Sequence, residues 1–444
     1  MWRMRYYHQS GPLAGSAFGY RRKEEEEEWR KRDPLSVTES NLIKFKFLKA
    51  SQLKSIRGSI DSLIDKTTKR LIDDRDPTQK KLFENLWPDP ASVDFGIRGD
   101  LSELQGLDVI DHDTLDAYPK REVKYIEAVS EAARLAMARD PQIIILGEDV
   151  HRLRGGTSGA TKGVGDLFPD RLLGTPICEN GFTGMALGAA LNGLRPIVEI
   201  MYPDFALVAA DQLCNQAAKV RHMFGGNQAV PLVVRSRVSA GTGYGSQHSM
   251  DASALYAMFP GWRVVVPSTA LDYMGLFNAA VMSNDPVLIV EYQSLFQEKG
   301  FVPDVDKAFI VPFGKARFLS QGSECTILTY GGMIKSCQEA IRELNIQADL
   351  IDLRTIDVLG ADWESIEASL SKTNRLLIAE QTARTTAIGI QIAKYAQEKF
   401  FDYLDAPIVH VSGSMSAPVV SKILEAAALA GKREVINGLK ELMR

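Results

Sequence analysis

Ile143-Ile144-Ile145-Leu146 is a short apolar run with no polar residue alternating through it. Such a run predicts a strand buried on both faces, as in a parallel sheet covered by helices. Immediately before it, Tyr125–Arg139 reads as an amphipathic helix. Similar runs recur at Ile197–Met201, Leu232–Arg235, Val264–Val266 and Val287–Val290. Helical stretches separate most of them, at Phe182–Leu191, Phe205–Met223 and Ala270–Met282. Strands alternating with helices predict an α/β domain with a doubly wound parallel sheet. Tyr292–Ala308 lacks either period and reads as a linker. A second, smaller alternation follows it. Thr326–Thr329, Ala348–Ile351, Leu376–Ala379 and Ile408–Val411 are its strands, and Met333–Leu344, Trp363–Ser371 and Ile388–Lys399 its helices.

The front of the chain has another grain. Residues 39–75 read as helix, part of a helical hairpin, with Leu53, Ile56, Ile60, Leu63, Ile64 and Leu71 at helical spacing, Ser51 where an N-cap belongs and Pro77 as a stop. Trp87-Pro88-Asp89-Pro90 and the polar stretch to Pro119 read as a linker. The expected domains are therefore a helical appendage over 1–120, a larger α/β domain over 121–300 and a smaller one over 301–444.

The chain has 444 residues, enough for about three domains. Its 52 basic and 56 acidic side chains nearly cancel, to a formal charge of −4. That balance argues against a nucleic-acid binder. No apolar run is long enough to span a bilayer, so no membrane partner is expected. Cys178, Cys214, Cys325 and Cys337 form no C-x-x-C pair and lie at no zinc spacing from histidines, which points to a reducing compartment. Met1–Arg22 carries four arginines and no acid, like a mitochondrial transit peptide. Gly11, Pro12, Gly15 and Gly19 spoil the helix such a peptide needs, and no small-residue cleavage signal follows. A cytoplasmic location is the expectation, with the mitochondrial matrix as the alternative.

The usual short catalytic motifs are missing. What stands out is Thr175-Pro176-Ile177-Cys178-Glu179-Asn180-Gly181-Phe182, followed by the small residues Gly184, Ala186, Gly188, Ala189 and Ala190. A carboxylate between a short apolar segment and a glycine-rich helix start falls at the carboxyl end of a sheet, where open α/β folds bind ligands. The plainer reading is a glutamate favoured at a helix N-terminus. Gln247-His248-Ser249 continues the loop Ala240–Ser246, whose three glycines let backbone approach a ligand; a lone loop histidine is otherwise an ordinary surface residue. Phe205, beside Asp204 and near Asp211-Gln212, opens a helix and is otherwise core.

Together these residues resemble the beta subunits of thiamine-dependent 2-oxo acid dehydrogenases. The resemblance also rests on Leu146-Gly147-Glu148-Asp149-Val150, Arg195-Pro196-Ile197-Val198-Glu199, Ala210-Asp211-Gln212, Val266-Pro267-Ser268 and Asp352-Leu353-Arg354-Thr355, and it covers residues 121–444. Residues 1–100 are similar to the carboxyl end of the alpha subunit of the same enzyme, through Gly19-Tyr20-Arg21, the glutamate run, Trp29 and Arg32-Asp33-Pro34-Leu35. The chain thus resembles an alpha–beta fusion whose front is lost.

The resemblance implies a transketolase-type pyrimidine-binding domain and a transketolase C-terminal domain. It implies thiamine diphosphate as cofactor, with Glu179 bonded to a ring nitrogen of the aminopyrimidine and so promoting loss of the thiazolium proton. Ile177 would offer backbone contacts to that ring, and Phe205 would stack on it. Glu148 would sit in a polar tunnel between paired sites. His248 would lie near the substrate or the incoming lipoyl group. The implied partners are an alpha subunit, a second copy through the beta domain and a lipoyl acyltransferase core. The implied reaction is oxidative decarboxylation of 3-methyl-2-oxobutanoate or pyruvate, leaning to the branched acid. A transketolase or deoxyxylulose-phosphate synthase relative, or a purely structural subunit, are the rival readings.

The alpha subunit's Gly-Asp-Gly motif for diphosphate and Mg2+ is not matched; Gly99-Asp100-Leu101 and Gly165-Asp166-Leu167 lack the last glycine. Mg2+ would therefore be held by the alpha partner. A structural K+ is implied at the loop Ala280–Asp285, through Ser283 and Asp285, mostly by backbone oxygens. Glu380–Thr386 and Ser414–Pro418 depart from the family pattern, which bears on partner docking.

Overall fold

The computed structural model describes residues 28, 31–73, 94, 96–152, 155–251, 253–415 and 418–444. The basic start, the glutamate run up to residue 27, the segment Trp87–Pro90 and positions 416–417 lie outside the described residues. The chain divides into two units, residues 1–93 and 94–444.

In the first unit the stretch read as helix holds two helices. Helix α1 (Pro34–Lys44) opens on Asp33, whose carboxylate accepts from Leu35 N at 2.8 Å, with Pro34 in the first turn. Helix α2 spans Ala50–Asp73. Between them Lys46 adopts φ 61°, a left-handed turn that no glycine or proline announces. Ser51 falls inside α2 rather than capping it. The apolar stripe of Ile56, Ile60, Leu63 and Ile64 is exposed.

The second unit is built on parallel strands. In chain order they are β1 (Asp108–Val109), β2 (Lys120–Lys124), β3 (Ile143–Glu148), β4 (Leu172–Thr175), β5 (Arg195–Ile200), β6 (Val233–Val238), β7 (Arg263–Val265) and β8 (Val287–Tyr292). Then follow β9 (Lys299–Pro303), β10 (Phe309–Ile310), β11 (Arg317–Ser320), β12 (Cys325–Thr329), β13 (Ala348–Asp352), β14 (Leu376–Ala379) and β15 (Val409–Val411). Six of them form one sheet in the order β4-β3-β5-β6-β8-β7, every pair parallel. β6 and β8 are buried along their whole length, as two-faced coverage requires. Helices α3 (Tyr125–Arg139), α4 (Glu179–Leu191) and α5 (Ala270–Met282) cover this sheet, and α5 is buried almost end to end.

The second sheet runs β11-β13-β12-β14-β15, with only β11 antiparallel. Its main helices are α6 (Ile334–Leu344), α7 (Trp363–Thr373), α8 (Gly389–Phe400) and α9 (Lys432–Leu442). One apolar cluster runs from Val198 and Trp262 of the larger sheet to Leu328 and Ile351 of the smaller, so the two share a core. Backbone also ties them: Val266 N donates to Arg354 O at 2.7 Å and Ile356 N to Val264 O at 3.0 Å.

Three expectations need correction. The stretch 292–308 is not a plain linker, since β9 within it pairs antiparallel with β2 as an edge ribbon. Edge strands bury too little of themselves to show a clean period. Residues 96–119 are not a free tether. They carry β1, which pairs with β10, and Arg354 grips Asp111 with two hydrogen bonds of 2.7 and 2.9 Å. Finally, Phe205–Met223 is not one helix. A 3-10 turn at Pro203–Leu207, a π-helical segment at Asp211–Ala217 and a short helix at Val220–Met223 replace it. An alanine-rich apolar stretch hides such changes of pitch.

Candidate functional site

Four neighbouring strands of the larger sheet, β4, β3, β5 and β6, end at one edge, and each delivers a candidate residue there. β3 ends on Glu148. β4 runs into Pro176-Ile177-Cys178 and then α4, whose first residue is Glu179. β5 leads to Tyr202 and the turn bearing Phe205, and β6 to the loop bearing His248.

Glu179 is 7% exposed, and among the described residues its carboxylate has no hydrogen-bond partner. Ile177, two residues earlier, is 76% exposed. Burial raises the Glu148 carboxyl above its ordinary range, and the like charges of Asp149 and Glu179 add to the effect. Glu148 and Glu179 are thus close enough to repel. Phe205 and His248 meet with ring centroids 5.3 Å apart. Burial likewise raises Asp204, which accepts from Met250 N at 3.2 Å.

The sequence reading missed the hub of this aromatic group. Tyr202 lies 4.7 Å from His248, 5.6 Å from Phe205 and 5.9 Å from Tyr244, centroid to centroid. The Arg237 guanidinium covers its ring at 4.7 Å and donates to Ser158 Oγ at 2.7 Å. Behind the edge, Arg235 donates to Glu291 at 2.7 and 3.1 Å and to Glu199 at 3.5 Å, with all three side chains buried. Two arginines inside the apolar strand Val233–Val238 were the available signal.

The models for "Transketolase, pyrimidine binding domain" and "Transketolase, C-terminal domain" match residues 121–298 and 314–435. The mitochondrial pyruvate dehydrogenase E1 component subunit beta of Dictyostelium discoideum is 37% identical over 331 residues, covering 73% of this chain and 92% of that protein. The chain belongs to the family of beta subunits of thiamine-diphosphate-dependent 2-oxo acid dehydrogenases. The beta subunit of acetoin:2,6-dichlorophenolindophenol oxidoreductase from Bacillus subtilis (strain 168) is 36% identical over 338 residues, covering 73% of the chain and 98% of that protein. A solved "split gene transketolase, inactive beta4 tetramer" shares the fold, with TM-score 0.58 and 21% identity over 72% of this chain and 98% of that one.

The residues of this beta subunit fit part of the cofactor. The Glu179 side chain makes no hydrogen bond among the described residues, so its carboxylate is free to accept from a nitrogen heterocycle seated against Glu179 and Phe205. The Mg2+–diphosphate end finds no comparable set among the described residues. The one grouping of three potential ligands, Asp111, His112 and Asp272, already surrounds a guanidinium: Arg354 lies 2.7 Å from both aspartates. Asp100 accepts from Ser102 N at 3.0 Å instead of forming a phosphate turn. At the loop named for K+, several oxygens already accept hydrogen bonds. The Asp285 carboxylate accepts from Gly99 N at 2.8 Å and from Arg263 at 2.7 Å, and the Ser283 carbonyl accepts from Arg195 at 3.0 Å.

Proposed function

We propose that this beta subunit supplies the aminopyrimidine half of a thiamine diphosphate site in an enzyme that oxidatively decarboxylates a 2-oxo acid. An alpha subunit would grip the diphosphate and Mg2+ in an α₂β₂ assembly, with the two beta copies paired. The acyl group would pass to a lipoyl-lysine on an acyltransferase. The observation that carries this reading is Glu179: 7% exposed, the first residue of the helix that follows β4 at the carboxyl edge of a parallel sheet, and without a hydrogen-bond partner among the described residues.

When bound, the cofactor supplies an electron sink for the carbon that loses carbon dioxide. Glu179 would hold a ring nitrogen through one carboxylate oxygen and fix which nitrogen carries the proton. Phe205 and the Ile177 backbone would orient the ring. His248, backed by Tyr202 and Phe205, would handle protons at the substrate or lipoyl side. Glu148, held protonated more readily by burial and its acidic neighbours, would pass a proton near Glu179. The relatives named for pyruvate support pyruvate as substrate ahead of 3-methyl-2-oxobutanoate.

The test is reconstitution with the alpha subunit, following carbon dioxide release from each acid. Glu179→Gln should abolish release; unchanged release refutes the reading. Calorimetric titration of thiamine diphosphate and Mg2+ should give binding only when the alpha subunit is present. Binding by the chain alone would favour a transketolase-like enzyme, and no binding in either case a structural subunit.

A further inference from the structure

The loop that follows β6 bears His248 and borders a hollow. A cavity of about 160 Å3 lies against it, lined by Ser246, Ser249 and Asp251 of the loop and by Thr382, Thr386 and Met415 opposite. Close packing therefore does not fix the loop on that side. At its start, the Ser239 hydroxyl donates to Gln293 Oε1 at 2.7 Å, and at its end Met250 N donates to Asp204 Oδ2 at 3.2 Å.

Between those anchors, two loop amides and the Ser246 hydroxyl bond to one short segment of the C-terminal domain. Gly241 N and Gly243 N donate to the two carboxylate oxygens of Glu425, at 2.9 and 2.7 Å. The Ser246 hydroxyl donates to the Pro418 carbonyl at 2.8 Å. Glu425 is 1% exposed, in the helix Lys422–Ala428. Gly241, Gly243 and Gly245 all have φ between +82° and +89°. A Cβ on Gly243 would meet Lys422 at 3.2 Å and one on Gly245 would meet Val420 at 2.8 Å. The loop's glycines are thus shaped to the segment that holds it. A buried carboxylate that accepts two amide protons forms two charge-assisted bonds, stronger than neutral ones.

We propose that Glu425 is the positioning residue of the His248 loop, a carboxylate from the C-terminal domain that sets where His248 stands in the site. Its effect on turnover rests on the function proposed above; its grip on the loop does not.

Hydrogen exchange on the full chain tests the grip. In Glu425→Ala, the amides of Gly241–Gly245 should exchange about tenfold faster or more, while those of β3, β5 and β6 keep their protection. Glu425→Gln should fall between, because its NH2 faces an amide donor where an oxygen is needed. It also carries the test if the alanine variant does not fold. In the enzyme reconstituted with its alpha subunit, kcat/KM should fall about tenfold in Glu425→Ala, with partial recovery in Glu425→Gln. Unchanged loop exchange in a folded variant overturns the proposal. Faster loop exchange with unaltered kcat/KM supports the grip and refutes the catalytic reading of His248 instead.

Discussion

Phe205 and His248 stand edge to face, their ring planes at 78°, although one follows β5 and the other comes late in the loop after β6. Adjacent parallel strands bring them together, and Tyr202 touches both. A ring cluster of this kind does two things at once. It offers a flat apolar surface and it limits how an imidazole can turn.

Phe205→Ala should therefore weaken thiamine diphosphate binding in the reconstituted enzyme by about three- to tenfold, the range expected for losing one aromatic contact. Phe205→Tyr should keep most of the affinity. Titrating the cofactor against activity measures both. Equal affinity in the alanine variant would remove Phe205 from the cofactor site.

Arg354 fastens the 96–119 segment to the rest of its unit. Its guanidinium, fully buried, meets Asp111 and Asp272 at 2.7 Å each. Arg354→Met would leave buried carboxylates without their cation, a loss of about 3–5 kcal/mol. Urea denaturation gives the size. Limited proteolysis should show cleavage near Asp111 before the sheets give way, and a variant as resistant as the parent would contradict this role.

The same cluster sets a pH dependence. Asp352 is fully buried, and desolvation, with the nearby charge of Asp272, pushes its carboxyl up to about 7. An unfolded aspartate titrates near ~3.9. The folded state therefore binds the extra proton between those values. Its stabilising effect is complete below about pH 4 and is lost as pH rises towards 7. Asp272 runs the other way: despite its burial, Arg354 and His112 hold it low, so its contribution fades only in acid. Between pH 5 and 8 the chain should lose on the order of 2 kcal/mol through Asp352. Asp352→Asn should flatten that slope. Denaturation curves at both pH values compare the two, and parallel slopes would exclude Asp352 as the source.

How much of this was readable beforehand depended on burial. Five strands of the larger sheet show in the sequence because both of their faces are covered and most of their positions are apolar, whereas β4, at the sheet edge, shows no such run. β2, β9 and β11 lie at edges, keep exposed residues and carry no comparable period. Glu179 stood out only in combination with the other motifs, since a carboxylate at a helix start is by itself an ordinary feature. Tyr202 did not, since an aromatic after a strand looks the same whether it packs in a core or lines a site. Glu425 was invisible for another reason. Its partners are backbone amides far away in sequence, and no pattern of side chains records them.

Arg235 offers the sharpest energetic test. The guanidinium is buried between Glu199 and Glu291, and Tyr273 also donates to Glu291 at 2.7 Å. Burial raises the Glu199 carboxyl while the Arg235 charge beside it pulls the other way. Removing the cation alone leaves two acids in a dry interior, so Arg235→Met should cost about 3–5 kcal/mol. Replacing a whole buried pair by apolar groups often costs much less, because desolvating the ions offsets their attraction. Arg235→Met combined with Glu291→Leu should therefore be more stable than Arg235→Met alone, by at least about 1 kcal/mol. Denaturant titration of the parent, both single variants and the double variant closes the cycle. A double variant no more stable than Arg235→Met would mean that the cost comes from lost packing around the guanidinium rather than from its stranded partner.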